Sequence, residues 1–203
     1  MERLADQRPL RRGAHASADD GMCAMEMVAW LAGEAHTDEP LCACPVIAAF
    51  VRAVNDALPS DAARDRHLRP LVPRLVGTRG TAADERRRGF MVADALVRQF
   101  APHLLARRGQ IDEAAALRAL PAVRSAADAR VALRALEAFC GELHAARWVL
   151  QRAVEGHPPA RWVAGAVQVL RRAGDAAAWQ LAADTAALLA GATAATAAAP
   201  AAP

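Results

Sequence analysis

Six side chains able to bind a metal or move a proton fall close together near the start of this sequence: Cys23, Glu26, His36, Asp38, Cys42 and Cys44. Thiolate, imidazole and carboxylate in one neighbourhood suit zinc or iron. Cys23, Glu26 and Trp30 are three and four residues apart, so on a helix they share one stripe. Glu26 is the only charged residue in the apolar run Met22–Ala32, and a buried carboxylate must be paired, protonated or metal-bound. The spacing differs from that of structural zinc sites, which pair cysteines two to four residues apart. Here the pair Cys42-Ala43-Cys44 is C-x-C. The alternative makes Cys23 a core residue, pairs Glu26 with an arginine such as Arg52 or Arg79, and leaves His36 and Asp38 as loop residues.

Two of these residues are also the catalytic candidates, Cys44 and Glu26. Cys44 immediately precedes Pro45, which places it at a helix N-cap, where the dipole and free amides stabilise a thiolate. With His36 as base it could act as a nucleophile, although no oxyanion hole is evident. A second group is basic. Gly77-Thr78-Arg79-Gly80-Thr81 precedes a helix, and Arg86, Arg87 and Arg88 follow one turn later. Arg79 with Arg86–Arg88, and Arg74 before them, could hold an anion at the helix start. The loop lacks the lysine and spacing of a P-loop, so a turn followed by a solvated arginine face is the default reading. His67, His103, His144 and His157 stand apart from other ligand types. Cys140 reads as core, and Trp148, Trp162 and Trp179 read as packing or partner contacts.

These residues require helices to position them. Met22–Ala32 forms a mostly buried helix ended by Gly33. Pro45 opens the next as its first residue, with Ile47, Phe50, Val51, Val54 and Leu58 on one side. Ser60 and Asp61 cap a short helix to His67, and Pro70 and Pro73 leave irregular or single-turn helix. Thr81 with Asp84 and Glu85 forms a capping box, opening a helix that Pro102 kinks or ends. A brief helix follows at Asp112–Leu120. Ser125 and Asp128 then open a long helix to about Val154, Pro158-Pro159 opens another to Ala173, and a last one carries Trp179 and Leu189. No stretch reads as a strand. The class is therefore all-α: an irregular helical bundle divided into a flexible leader (1–20), an N-terminal helical part (21–121), a C-terminal three-helix part (122–191) and a disordered Ala/Thr/Pro tail (192–203).

The run Met22-Cys23-Ala24-Met25-Glu26, with Ala32-Gly33-Glu34, Asp38, Cys42-Ala43-Cys44-Pro45-Val46-Ile47, Asn55-Asp56 and Leu75-Val76-Gly77-Thr78-Arg79, resembles a group of actinobacterial and phage-associated small helical proteins over residues 22–120. That group has no established activity, so the resemblance implies no residue roles.

Composition narrows the class further. All 25 basic residues are arginine against 22 acidic ones, and alanine abounds, which reflects a GC-rich coding sequence more than a function. A net charge of +3 with the basic residues scattered along the chain gives no concentrated nucleic-acid face. The charged start lacks the apolar segment of an export signal, and the alanine-rich end is too weakly apolar for a membrane span. The expected location is cytoplasmic, where cysteines stay reduced. Three readings follow. The first is a binding protein for a protein partner or small ligand, organised by a zinc or iron site. The second is an enzyme using that site, and the third an arginine-mediated anion or nucleic-acid binder.

Overall fold

Side-chain caps at Cys23, Ser60, Thr81, Ser125 and Asp175 begin five helices of the computed structural model, which describes residues 8–137, 139 and 143–192. Helix α1 (Ala24–Ala32) starts at Cys23, whose thiol accepts from the Glu26 amide while the Glu26 carboxylate accepts from the Cys23 amide, and Gly33 ends it in the left-handed conformation at φ 74°. Helix α2 (Pro45–Ala57) has its proline at the first turn. It stops at Leu58, which is extended (ψ 138°) as a residue before proline must be. Ser60 caps α3 (Asp61–His67). The proline-broken stretch after it forms a 3-10 turn at Arg69–Leu71 and the single turn α4 (Val72–Leu75).

The capping box of Thr81 and Asp84 opens α5 (Ala82–Ala95). Pro102 neither ends nor sharply breaks this helical run. A π-helical turn at Leu96–Phe100 leads directly into α6 (Ala101–Arg107). Proline cannot donate to the carbonyl four residues back, and a widened turn before it absorbs the lost bond. Helix α7 (Ile111–Arg118) follows.

Beyond Pro121 the elements differ from expectation. The anticipated long helix is two: Ser125-capped α8 (Ala126–Leu136) and α9 (His144–Val154), which pack on each other. Folding back lets both amphipathic faces bury their apolar stripe, which one straight rod could not do. Pro158-Pro159 opens only a 3-10 turn, Pro159–Arg161, before α10 (Ala164–Ala173) begins. Gly174 at φ 67° and the Asp175 cap then connect to α11 (Ala176–Gly191). The described residues of the C-terminal part thus hold four α-helices where three are expected. Among the described residues the chain is all-α without β-strands, with one isolated bridge between Leu10 and Met22. No helix among the described residues is long and apolar enough to cross a membrane. Cys140 and residues 193–203 of the expected tail lie outside the described residues.

Helix α2 is the centre. It packs against α1, α5, α10, α11 and the Pro159 turn, with Val46, Ile47, Phe50, Val51 and Val54 all buried. Phe50 stacks on Phe100 at 6.5 Å between ring centres. One continuous apolar cluster runs from Leu10 to Ala190, so the seam placed at residue 121 marks no break in the core.

The expected flexible leader is instead tied down from Arg8 onward. Leu10 is fully buried, its amide donates to Asp65 Oδ1 at 2.9 Å, and the Gly13 amide donates to Asp56 Oδ1 at 3.0 Å. The Arg11 amide donates to the Met22 carbonyl at 2.8 Å, and Asn55 Nδ2 donates to the Arg11 carbonyl at 2.9 Å. A polar segment without periodicity is held here by hydrogen bonds to residues far along the chain, and no local pattern announces them.

Candidate anion-binding site

The Cys23–Cys44 stretch does not close around one point. Glu26 is 1% exposed and its partner is His15, not an arginine. His15 Nδ1 lies 2.8 Å from Oε2, the His15 amide donates to Oε1 at 2.6 Å, and the Cys23 amide donates to Oε2 at 2.6 Å. His36 Nε2 lies 3.5 Å from Oε1 and 3.1 Å from the His15 carbonyl. Burial by itself would raise this carboxyl, but the donors, led by the Cys23 and His15 amides, hold it below the ordinary glutamate value. The cluster locks the segment 8–22 onto α1.

The other candidates have separate neighbours. The Asp38 carboxylate faces Arg52 Nε at 3.7 Å, and the Asp38 carbonyl accepts from Arg52 Nη1 at 2.8 Å. The Cys42 amide donates to Glu34 Oε1 at 2.7 Å and the Leu41 amide to Oε2 at 2.6 Å, so Glu34, absent from the expected set, clamps this loop. Burial pushes the Cys23 thiol up to about 12, and burial together with the Glu34 carboxylate raises Cys42. Cys44 does occupy the N-cap of α2, as its position before Pro45 implies. Its side chain makes no capping hydrogen bond and is fully buried, and Thr78 Oγ1 accepts from its amide at 3.1 Å. No hydrogen bond joins it to His36 among the described residues. Among those residues, too, no group of three or more His, Cys, Asp or Glu side chains is placed to hold a metal ion.

The arginine set divides. Arg88 is fully buried, and donates from Nη1 to the Thr78 carbonyl at 2.9 Å and from Nε to the Leu189 carbonyl at 3.3 Å. Arg87 donates to the Ala192 carbonyl, and Arg74 to the Ala187 carbonyl at 3.3 Å. Arg74, Arg87 and Arg88 therefore serve the C-terminal carbonyls of α11, where the helix dipole favours cations. Of the expected anion set, Arg87 also pairs with Asp84 Oδ1 at 3.1 Å, and Arg88 directs Nε and Nη1 at the protein's own backbone. Arg86 lines a different hollow with Phe90, His157 and Trp162.

Arg79 belongs to another place. It is exposed and lines a cavity of about 350 Å³ with Arg52, Arg161 and Glu39. The Arg79 amide donates to the Cys42 carbonyl at 2.9 Å, which joins the 77–80 loop to the 40–44 loop. The floor is small and apolar, formed by Pro40, Ala43, Pro45, Ala48, Ala49 and Ala160. Arg161 arrives on the Pro159 turn that packs against α2. Arg52 is anchored by Glu39 at 2.9 Å, while Arg79 and Arg161 have no carboxylate partner among the described residues. Both carboxylates beside these three guanidiniums, Asp38 and Glu39, are paired with Arg52, and the cavity lies beside the first turn of α2, the positive end of that helix. The volume is in the range of small-molecule sites. Arg161 and the anchored Arg52 were not in the expected anion set; 82 residues of sequence order separate Arg79 from Arg161 only on paper, since the turn at Pro159 folds back on α2.

No protein-family model, curated protein or solved structure matches this chain.

Proposed function

We propose that this helical protein works by binding a ligand that carries an anionic group, phosphate or carboxylate, on a small apolar body. The observation that carries this is the cavity in which Arg79 and Arg161, both exposed and without carboxylate partners among the described residues, stand over an alanine- and proline-lined floor. The guanidiniums supply bidentate donors for the anion. The apolar floor takes the remainder of the ligand.

Pyrophosphate serves as the simplest probe. A ligand that binds only the folded state raises stability by RT ln(1 + [L]/Kd), about 2.7 kcal/mol at a hundredfold excess over Kd. Millimolar pyrophosphate is expected to raise the melting temperature of the protein, and Arg79→Ala and Arg161→Ala are each expected to weaken that response. An unchanged melting temperature, with no heat of binding by calorimetry, would remove the proposal.

A further inference from the structure

Arg161 lines two cavities. On its far side lies a second, of about 320 Å³, between the N-terminal segment, α2, α9 and α10. Arg12, Arg171 and Trp148 line it with Asp56. Arg12 and Arg171 are exposed, and neither has a carboxylate partner among the described residues. The Asp56 carboxylate is already bonded to the Gly13 amide. Five arginines and two carboxylates, Glu39 and Asp56, therefore line the two cavities, with Asp38 behind Arg52, and Arg161 joins them.

Trp148 adds a different chemistry. It is 40% exposed, the one aromatic among the exposed large apolar residues of the described chain. Its ring rests on α10 where Gly165 has no side chain; a Cβ there would sit 3.0 Å from the ring. The Arg152 guanidinium lies over the ring at 5.7 Å from its centre. That side chain is half-buried and its Nη1 is paired with Glu155 Oε2 at 2.9 Å, so a flat group entering here must displace it from the ring or be clasped between the two.

We propose that the two cavities form one furrow for a short stretch of single-stranded nucleic acid, with phosphates along Arg79, Arg161 and Arg171 and a base stacked on Trp148. A row of cations with an interleaved aromatic platform is the arrangement that sequence-tolerant single-strand binding uses. The inference rests on the anion reading of the first cavity and extends it to a polyanion. An acidic polypeptide would satisfy the arginines equally but would make no use of the ring.

The test is fluorescence anisotropy of a labelled single-stranded 12-mer, as DNA and as RNA, with the full chain. Saturable binding is expected. Its log–log salt slope should be about −2, since three phosphate contacts each contribute roughly −0.7. Trp148→Ala is expected to weaken strand binding roughly tenfold, within the range for loss of one stacked base, while Trp148→Phe retains most of it. Arg171→Ala should weaken strand binding and leave pyrophosphate binding intact, whereas Arg79→Ala should weaken both. Pyrophosphate binding without strand binding would overturn this inference alone. Strand binding that depends on Trp148, in a protein that ignores pyrophosphate, would support it and overturn the small-ligand reading. Oligoglutamate displacing the strand in a protein indifferent to Trp148→Ala would replace nucleic acid by an acidic peptide.

Discussion

Glu26 shows what one buried carboxylate can organise. It accepts from two backbone amides and lies against two imidazoles, and so joins α1 to a segment that would otherwise have little to bind it. Replacing it with glutamine puts an NH2 group among donors and leaves at least one of them unmatched. Unsatisfied buried donors cost about 1–3 kcal/mol, so Glu26→Gln is expected to lower the unfolding free energy from urea denaturation by that much at neutral pH. Because the folded carboxyl is held below its ordinary value, its stabilisation is complete above the unfolded value, near 4.3, and fades as pH falls through the folded one. The difference between wild type and Glu26→Gln should therefore shrink in acid. A difference that stays constant from neutral pH to pH 3 would show that the charge is not what matters. The pairing also explains why the identity of the partner was not legible. Glu26 could be seen to need one, since its neighbours in α1 are apolar, but His15 sits in a polar run with no periodicity and carries no local mark.

At the scale of elements, close approach is decided by small residues. On α5, a Cβ at Gly89 would lie 2.6 Å from Pro159 Cβ and 3.1 Å from the Trp162 ring. Glycine within a helix costs about 1 kcal/mol relative to alanine, so Gly89→Ala would gain that much if space allowed. Proline and a buried tryptophan are rigid neighbours, and overpacking costs typically 1–3 kcal/mol. The clash is expected to win, with a net destabilisation of about 1 kcal/mol or more in chemical denaturation. Gly191→Ala on α11, where nothing lies within 4 Å, is the matched control and should be neutral or stabilising. If both variants are stabilised alike, α5 and the Pro159 turn are farther apart than the structure has them. The same contact positions Arg161, so Gly89→Ala should also weaken pyrophosphate binding.

For the molecule as a whole, α2 makes the two halves interdependent. Its buried face meets α1 and α5 from the N-terminal part and α10 and α11 from the C-terminal part. A chain ending at residue 121 would leave much of that face uncovered. It is expected to lack a cooperative thermal transition, while the full chain unfolds in one step. A truncated chain that melts sharply, or a full chain with two separated transitions by calorimetry, would restore the two-part organisation expected from Pro121 and Ser125. The arginines are also a whole-molecule feature. Arg12, Arg52, Arg79, Arg161 and Arg171 are scattered along the chain and meet around two adjoining cavities only after α2, α10 and the Pro159 turn pack together.

Local chemistry settled the all-α class, the caps at Thr81, Ser60 and Ser125, the stop at Gly33 and the proline start at Pro45. Each depends on backbone groups within one or two turns of the residue concerned. The same reasoning overextended the helix from Ser125 to Val154 and set aside residues 8–20. There the outcome depends on which distant face is available for burial or bonding. Tertiary structure alone decided that Arg88 caps α11, that His15 partners Glu26, and that Arg79 shares a cavity with Arg161. A side chain's type limits what it can bind, but its neighbours are set by how the helices pack, and residue spacing carries little record of that.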